Sequence, residues 1–272
     1  MVKTDNRDAA GRLTGARTVS SEGSKAWTGR ARLGSFWALH RGAIGDNELH
    51  AHHALQFTAV NGVLSVTLGG KRIATPGIFI ASMRSHKLAA VEDAVSLYVD
   101  AASPIGRWLS EVFASRSPRL DPHEVAVLNG LDVEAVSDAV LVSRLRTLFA
   151  ESNAAGRPLD VRLTKALAVL EADLEGSPSL RRLSNDVQLS EGRLSRLFHR
   201  EMGMPYRPYR RWRRVQQALS LLERGANLTE AAIGAGFSDS AHFSRTFRQL
   251  FGVTPSAIAP LVRRRTADSF KP

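Results

Sequence analysis

Two arginines, 49 residues apart, occupy the same position in a repeated segment. The first copy spans residues 194–198 (LSRLF) and the second spans residues 243–247 (FSRTF). Each copy has the pattern apolar-Ser-Arg-x-Phe and is followed, five residues after the phenylalanine, by a glycine. An arginine can donate two hydrogen bonds to O6 and N7 of guanine in the major groove of DNA. Arg196 and Arg245 are therefore candidates for contacting bases, provided that each lies on the outer face of a helix.

Helical geometry predicts that orientation. Arg196 follows the apolar Leu194 by two residues, and Arg245 follows Phe243 by two. Two residues correspond to about 200° of rotation on an α-helix, so each arginine points away from its own core. The side chains that share these two outer faces are the candidate DNA-binding residues: Gly192, Arg193, Ser195 and Arg196 in the first copy, and Ser240, Ala241, His242, Ser244 and Arg245 in the second.

The residues before each repeat predict a helix-turn-helix unit. A short apolar helix precedes each copy, beginning at Leu180 in the first and at Leu228 in the second. Ser190 and Asp239 are typical N-cap residues for the second helix of each unit, because their side chains accept hydrogen bonds from the first free backbone N–H groups. Two such units in tandem are much more specific than one.

The segment between the units, from Pro205 to about Leu222, predicts one long helix. It contains five arginines and three aromatic residues, with an apolar face from Val215 to Leu222. A helix of about 18 residues is roughly 27 Å long, and successive major grooves on one face of DNA are about 34 Å apart. Such a helix could hold both units about one turn of DNA apart. Its arginines either contact phosphates or are solvated, and the sequence leaves both open.

Composition agrees with a polyanionic partner. The chain has 272 residues and a formal net charge of +11. Residues 157–272 contain 20 Lys and Arg against 11 Asp and Glu, so most of the excess is C-terminal. A basic domain of this kind is typical of nucleic-acid binding. The chain has no cysteine, which excludes disulfides, thiolate metal sites and DNA repair through a reactive cysteine.

The tandem units resemble the AraC/XylS family of transcription regulators. The most specific match is residues 236–247 (GFSDSAHFSRTF), ending at residues 251–255 (FGVTP). The resemblance implies a sequence-specific DNA-binding regulator that contacts double-stranded DNA through the candidate residues named above. The sequence departs from the family at Ser184, where alanine is usual, at Ala231, where isoleucine is usual, and at residues 257–259, where an aromatic residue and an arginine are missing.

The N-terminal half predicts β-structure. Short alternating runs are separated by the turn signals Asn61-Gly62 and Gly69-Gly70, a pattern typical of a sandwich or barrel. With His50 and His52 before these turns and His86 after them, the segment resembles the cupin-like sensor domain of many AraC/XylS regulators. That resemblance implies a β-barrel with a small-molecule effector inside.

Four residues are candidates for this effector pocket: His50, His52, Gln56 and His86. In metal-binding cupins the position of Gln56 is a glutamate. A neutral amide is a weaker ligand for transition metals than a carboxylate, so we expect no metal, no cofactor and no enzymatic activity.

The alternative function is that of a metal-dependent cupin enzyme with a helical appendage. A protein that coats DNA without sequence preference is disfavoured by side chains directed at base edges.

A helical segment from Pro104 to residue 155 separates the two halves. Its longest apolar stripe, from Val136 to Leu148, predicts a surface through which two chains pair, so a homodimer is expected. The fold class is therefore α+β. A disordered leader (1–26) precedes a cupin-like sensor and dimerisation domain (27–156), an all-α domain of about seven helices with two helix-turn-helix units (157–264), and a basic tail (265–272).

Location and partners follow from the same features. The longest apolar run, residues 77–83, is much shorter than the roughly 20 residues of a transmembrane helix, and residues 1–25 have no apolar stretch typical of a secretory signal. We therefore expect a cytoplasmic protein with no membrane partner. Promoter or operator DNA and a small-molecule effector are the expected partners, and RNA polymerase is a further candidate.

Overall fold

The computed structural model describes residues 25–150, 158–173, 176 and 178–262. The expected leader, most of the interdomain linker and the basic tail lie outside these residues. The strands are β1 (Arg30–Leu33), β2 (Trp37–Ile44), β3 (Ala54–Leu68), β4 (Lys71–Ile80), β5 (His86–Leu88) and β6 (Val91–Asp100). The helices are α1 (Pro104–Val112), α2 (Pro122–Asn129), α3 (Asp138–Leu148), α4 (Val161–Ala172), α5 (Leu180–Asp186), α6 (Glu191–Met202), α7 (Tyr206–Glu223), α8 (Leu228–Gly234), α9 (Ser240–Phe251) and α10 (Pro255–Val262).

The six strands form one antiparallel sheet in the order β1-β2-β6-β3-β4, with β5 paired to β3. Among the described residues β1 and β4 do not pair, so the sheet is open. The prediction of a closed barrel is therefore wrong. The reason lies at β4. The backbone N–H of Phe79 donates to the carbonyl of Pro118 (2.7 Å), and that of Leu120 donates to the carbonyl of Gly77 (3.0 Å). The segment before α2 thus occupies the edge that a barrel would pair with another strand.

The two turn signals have different outcomes. A turn at Gly69-Gly70 is confirmed, because both glycines have positive φ angles, 55° and 82°, between β3 and β4. The turn predicted at Asn61-Gly62 is wrong. Strand β3 continues through it, and only the pairing with β4 shifts register between Ala59 and Leu64. The extra residues are accommodated as a bulge, which preserves the strand and increases its twist.

Helices α1 to α3 cover one face of the sheet. Helix α2 starts directly after Asp121, whose side chain forms a reciprocal capping box with Glu124. In α3 and the residues before it, Val136, Leu141 and Leu145 are buried in a core that includes sheet residues. The apolar stripe that we expected to pair two chains is therefore largely covered by the chain's own sheet.

Seven helices, α4 to α10, follow in the described C-terminal residues, making ten in all with α1 to α3. They form two cores that share helix α7. Its N-terminal half contributes Tyr209 and Trp212 to the core of the first helix-turn-helix unit. Its C-terminal half contributes Val215, Ala218 and Leu222 to the core of the second. Helix α7 is thus part of both units, which determines their relative position. None of the described helices is long and apolar enough to cross a membrane.

Candidate nucleic-acid interface

The first unit consists of α5 and α6. Ser190 caps α6 by accepting a hydrogen bond from the backbone N–H of Arg193 (3.3 Å). Gly203 ends the helix with a φ of 69°, a left-handed conformation that glycine adopts without steric cost. The inner face of α6 is buried through Leu194, Leu197 and Phe198. Both ends and the buried face of the helix agree with the sequence-based prediction.

The outer face of α6 presents the candidate residues. Gly192, Arg193 and Arg196 are exposed and Ser195 is half-buried. A Cβ atom added at Gly192 would meet only the Arg196 guanidinium, at 3.8 Å. The N-terminal half of α6 is therefore free of covering protein among the described residues. A recognition helix needs this feature to enter a major groove.

The second unit consists of α8 and α9 and repeats the same design. Asp239 caps α9 by accepting a hydrogen bond from the backbone N–H of His242 (2.6 Å). Gly252 ends α9 with a φ of 70°. Phe243 and Phe247 fill the inner face. The hydrogen bond from the backbone and the Ser238 hydroxyl lower the pKa of the Asp239 carboxyl, so the cap is ionised at neutral pH.

On the outer face of α9, Ala241 and Arg245 are exposed, and Ser240, His242 and Ser244 are half-buried. His242 is positioned by its neighbours. Its Nδ1 lies 3.1 Å from the hydroxyl of Ser238, and its ring packs edge-on against Phe237 at 5.3 Å between centroids. The structure thus brings all five candidates onto one helix face with a defined orientation for the histidine.

The arginines of α7 differ in their surroundings. Arg207 and Arg211 are exposed. Arg213 instead reaches the sheet domain, the name used here for β1 to β6 with α1 to α3: its guanidinium is 3.4 Å from the Asp100 carboxylate of β6. The same guanidinium is 2.9 Å from the carboxylate of Glu171 on α4. Asp100 also accepts a hydrogen bond from Gln216 (3.1 Å). One of the five arginines therefore joins the two domains, a role that the sequence analysis did not anticipate.

The C-terminal end of α9 also rests on the sheet domain. The guanidinium of Arg248 forms an ion pair with Glu48, and the backbone N–H of Glu48 donates to the carbonyl of Gly252 (2.9 Å). Phe251 packs on the ring of His52 at 5.5 Å between centroids. We call Arg248, Phe251 and Gly252 the α9 anchor. No sequence motif indicated it, because Phe251 has the spacing of an ordinary core residue.

The α9 anchor requires a glycine at position 252. A Cβ atom there would lie 2.5 Å from the Glu48 carbonyl oxygen and 2.7 Å from His50 Nδ1. Gly252 thus serves two purposes, the left-handed end of α9 and the close approach of α9 to the sheet domain.

A cavity of about 330 Å³ lies between the sheet domain and the helix-turn-helix units. Its walls are mostly apolar and come from both domains, including Trp37, Leu39, Trp212, Phe247 and Ile258. Of the four residues expected to form an effector pocket, His50 and Gln56 line this cavity. His52 and His86 do not line it, but both lie within 3.1 Å of the Gln56 side-chain oxygen.

The match to a protein-family model lies in the C-terminal part of the chain. A family model described as a helix-turn-helix domain matches residues 183–259. The chain is 37% identical over 109 residues to the uncharacterised HTH-type transcriptional regulator YidL of Escherichia coli K12, covering 40% of this chain and 37% of that protein. It is 31% identical over 115 residues to the arabinose operon regulatory protein of the same organism, covering 41% and 39%.

Residues 183–259 thus form a helix-turn-helix domain, and the chain is similar to these two regulators over about two fifths of its length. The matched residues lie within α5 to α10 and include both Arg196 and Arg245. The chain spans less than two fifths of the length of these two relatives, so the similarity concerns this domain alone.

The overall fold has a relative among solved structures. ToxT from Vibrio cholerae superimposes with a TM-score of 0.58 and 15% sequence identity, covering 84% of this chain and 99% of that one. The arrangement of an N-terminal antiparallel sheet followed by a helix-turn-helix domain is therefore a ToxT-like fold.

Proposed function

We propose that the protein is a sequence-specific transcription regulator whose α6 and α9 enter neighbouring major grooves of promoter DNA. The observation that carries the proposal is the pair of exposed arginines, Arg196 and Arg245, at equivalent positions on two helices joined by α7. Phosphate contacts fix a protein's register on DNA, and base contacts fix the sequence. The half-buried serines and His242 beside the arginines supply further donors for either type of contact.

The first test replaces each arginine separately. Arg196→Ala and Arg245→Ala should each weaken binding to the selected site by about 1–3 kcal/mol and relax base choice at one position. Sites are selected from a random duplex pool at fixed salt, and affinity is then measured by fluorescence anisotropy. Arg72→Ala, an exposed arginine of β4, is the matched control and should change nothing. An equal loss on random DNA would show phosphate contact instead and overturn the assignment to bases.

We further propose that a small molecule regulates DNA binding from the cavity between the domains. Its volume is at the lower end of the range of small-molecule sites, about 300–1,000 Å³. ToxT has been solved bound to (E)-4-(8-methylnaphthalen-1-yl)but-3-enoic acid and to an unsaturated fatty acid. The apolar walls beside Arg213, Asp100 and Gln216 suit a mainly apolar molecule with one polar group. Because α7 and α9 form part of the walls, a bound molecule would shift the α9 anchor.

A bulky residue in the cavity should block this site. Ala38 of β2 lines the cavity, and Ala38→Trp should reduce the binding of 1-anilinonaphthalene-8-sulfonate, a fluorescent apolar anion, at least tenfold. Ala74→Trp, on the exposed part of β4, is the matched control and should leave binding unchanged. Equal binding by both variants would place the probe elsewhere and contradict the proposed site.

The division into a sensor domain (27–156) and a DNA-binding domain (157–264) remains a prediction, as do the homodimer and the contact with RNA polymerase. One chain already carries two recognition helices, so the proposed function does not require a second chain. If a homodimer forms, it needs a surface other than the largely covered stripe on α3.

A further inference from the structure

The turn of the second helix-turn-helix unit is one residue longer than the turn of the first. Five residues, 235–239, separate α8 from α9, whereas four residues, 187–190, separate α5 from α6. The second residue of each turn is left-handed, Gln188 with a φ of 54° and Gly236 with a φ of 79°. In both turns the last residue is the helix cap. Ser238, directly before the cap of α9, therefore has no counterpart in the first turn.

This additional serine selects one tautomer of His242. Its hydroxyl donates to the carboxylate of Asp239 (2.9 Å), which is ionised at neutral pH and can only accept. The single hydroxyl proton is thereby used, so the Ser238 oxygen can only accept from Nδ1 of His242 (3.1 Å). The proton of the neutral imidazole is therefore on Nδ1, and Nε2 carries a lone pair.

The Nε2 atom of His242 is available to a ligand on the outer face of α9. Among the described residues no group hydrogen-bonds to this atom, and it is not one of the buried polar atoms that lack a partner. The ring of Phe237, edge-on at 5.3 Å between centroids, supports the imidazole from the inner side. Arg245 follows His242 by three residues, a spacing that places both side chains on the same helix face. A groove that receives Arg245 therefore also receives the imidazole.

The first unit presents the opposite kind of group at the same position. Arg193 lies 49 residues before His242, and each is the third residue of its helix. Arg193 is exposed, and a guanidinium can only donate hydrogen bonds. The lone pair on Nε2 of His242 can only accept one. The two recognition helices thus differ in hydrogen-bonding character at equivalent positions.

We propose that Nε2 of His242 accepts a hydrogen bond from the exocyclic amino group of a base in the second half-site. In the major groove N6 of adenine and N4 of cytosine are donors, whereas guanine and thymine present oxygen acceptors. An acceptor that faces another acceptor loses its water without gaining a hydrogen bond. The base at this position is therefore adenine or cytosine. This inference rests on the proposed function and adds which bases the second unit reads.

The same reasoning predicts that the two half-sites are not identical. Arg193 should contact guanine or a phosphate in the first half-site, because its guanidinium needs an acceptor. A protein with two chemically equal units would select a simple direct repeat instead.

The first test removes the amino group from the DNA. Sites are selected from a random duplex pool, at pH 8 and fixed salt, with full-length protein and with its His242→Phe variant. The position at which base choice relaxes in the variant is the one that His242 reads. Adenine there is then replaced by purine, or cytosine by 2-pyrimidinone, which lack the exocyclic amine. The unaltered protein should lose about threefold to tenfold in affinity, the size of one neutral hydrogen bond. His242→Phe should show no such loss.

The second test concerns Ser238 as a positioning residue. Ser238→Ala removes the hydroxyl and should relax base choice at the position that His242 reads, without changing the position that Arg245 reads. Ser238→Thr keeps a hydroxyl and should restore the preference for adenine or cytosine. Gln249→Ala, at an exposed residue near the C-terminal end of α9, is the matched control and should select the same motif as the unaltered protein.

The outcomes separate this inference from the proposed function. Selection of guanine or thymine at the His242 position would overturn the inference, as would an equal effect of the amino-group removal on the unaltered protein and on His242→Phe. If Arg245→Ala relaxes one position while His242→Phe and Ser238→Ala change none, the proposed function stands and only this inference fails. If His242→Phe does not fold, the comparison of Ser238→Ala with Ser238→Thr decides.

Discussion

A five-base-pair insertion between the two half-sites of the selected DNA should reduce affinity by about 10²–10⁴-fold, because linked binding by two modules contributes a factor of that size. Helix α7 contributes side chains to the cores of both units and so fixes the distance and the orientation between α6 and α9. Half a turn of DNA moves the second half-site to the opposite face of the duplex, where α9 cannot reach it. Anisotropy titrations with the two duplexes measure the change.

A ten-base-pair insertion is the informative control. It returns the second half-site to the original face but moves it one further turn away, about 34 Å. Since α7 has only 18 residues, roughly 27 Å, the affinity should stay low. Full recovery of the affinity with the ten-base-pair insertion would imply a flexible connection between the units or two separate chains. An unchanged affinity with the five-base-pair insertion would mean that only one unit binds DNA.

Replacing Trp212 with alanine should lower the free energy of unfolding by about 3–5 kcal/mol, the usual cost of removing a large aromatic side chain from a core. Trp212 is buried on α7 within the first core. Its ring lies 6.0 Å from those of His53 and Phe251, between centroids. The substitution thus removes contacts to the first unit, the second unit and the sheet domain together. Urea unfolding followed by circular dichroism measures the loss.

Two further variants test whether the loss of stability comes from the packing of Trp212 or from a general sensitivity of the fold to substitution. Trp212→Phe keeps an aromatic ring and should cost only about 1 kcal/mol. Ile233→Ala alters an apolar residue of α8 that is 53% exposed, and should stay within about 0.5 kcal/mol of the original. If Trp212→Ala were as mild as Ile233→Ala, Trp212 would not connect the domains in the way described.

The helix-turn-helix units could be derived almost entirely from the sequence, because their determinants are local. Ser190, Asp239, Gly203 and Gly252 act on the backbone within a few residues of themselves. The period of an α-helix then determines which face of α6 and α9 is buried. A pattern that specifies a helix and both its ends also specifies its outer face, so the positions of Arg196 and Arg245 needed no tertiary information.

The sheet domain was less predictable, since strand pairing depends on distant partners. Asn61-Gly62 is a strong local turn signal, yet β3 continues through it because its flanking residues pair with β4 on both sides of the bulge. The edge of β4 is occupied by residues 118–120, some 40 positions further along the chain, so the sheet does not close there. The local sequence of β4 does not predict such a contact.

The sequence by itself determined the helices α6 and α9, their caps and their exposed arginines, because each depends on spacings of two to five residues. Only the tertiary structure decided where the two domains meet. The pairing of Arg213 with Asp100, the α9 anchor and the contact of Gln56 with His86 join residues from 30 to 200 positions apart. Contacts over such separations depend on the packing of whole elements, and a periodic pattern describes only one element at a time.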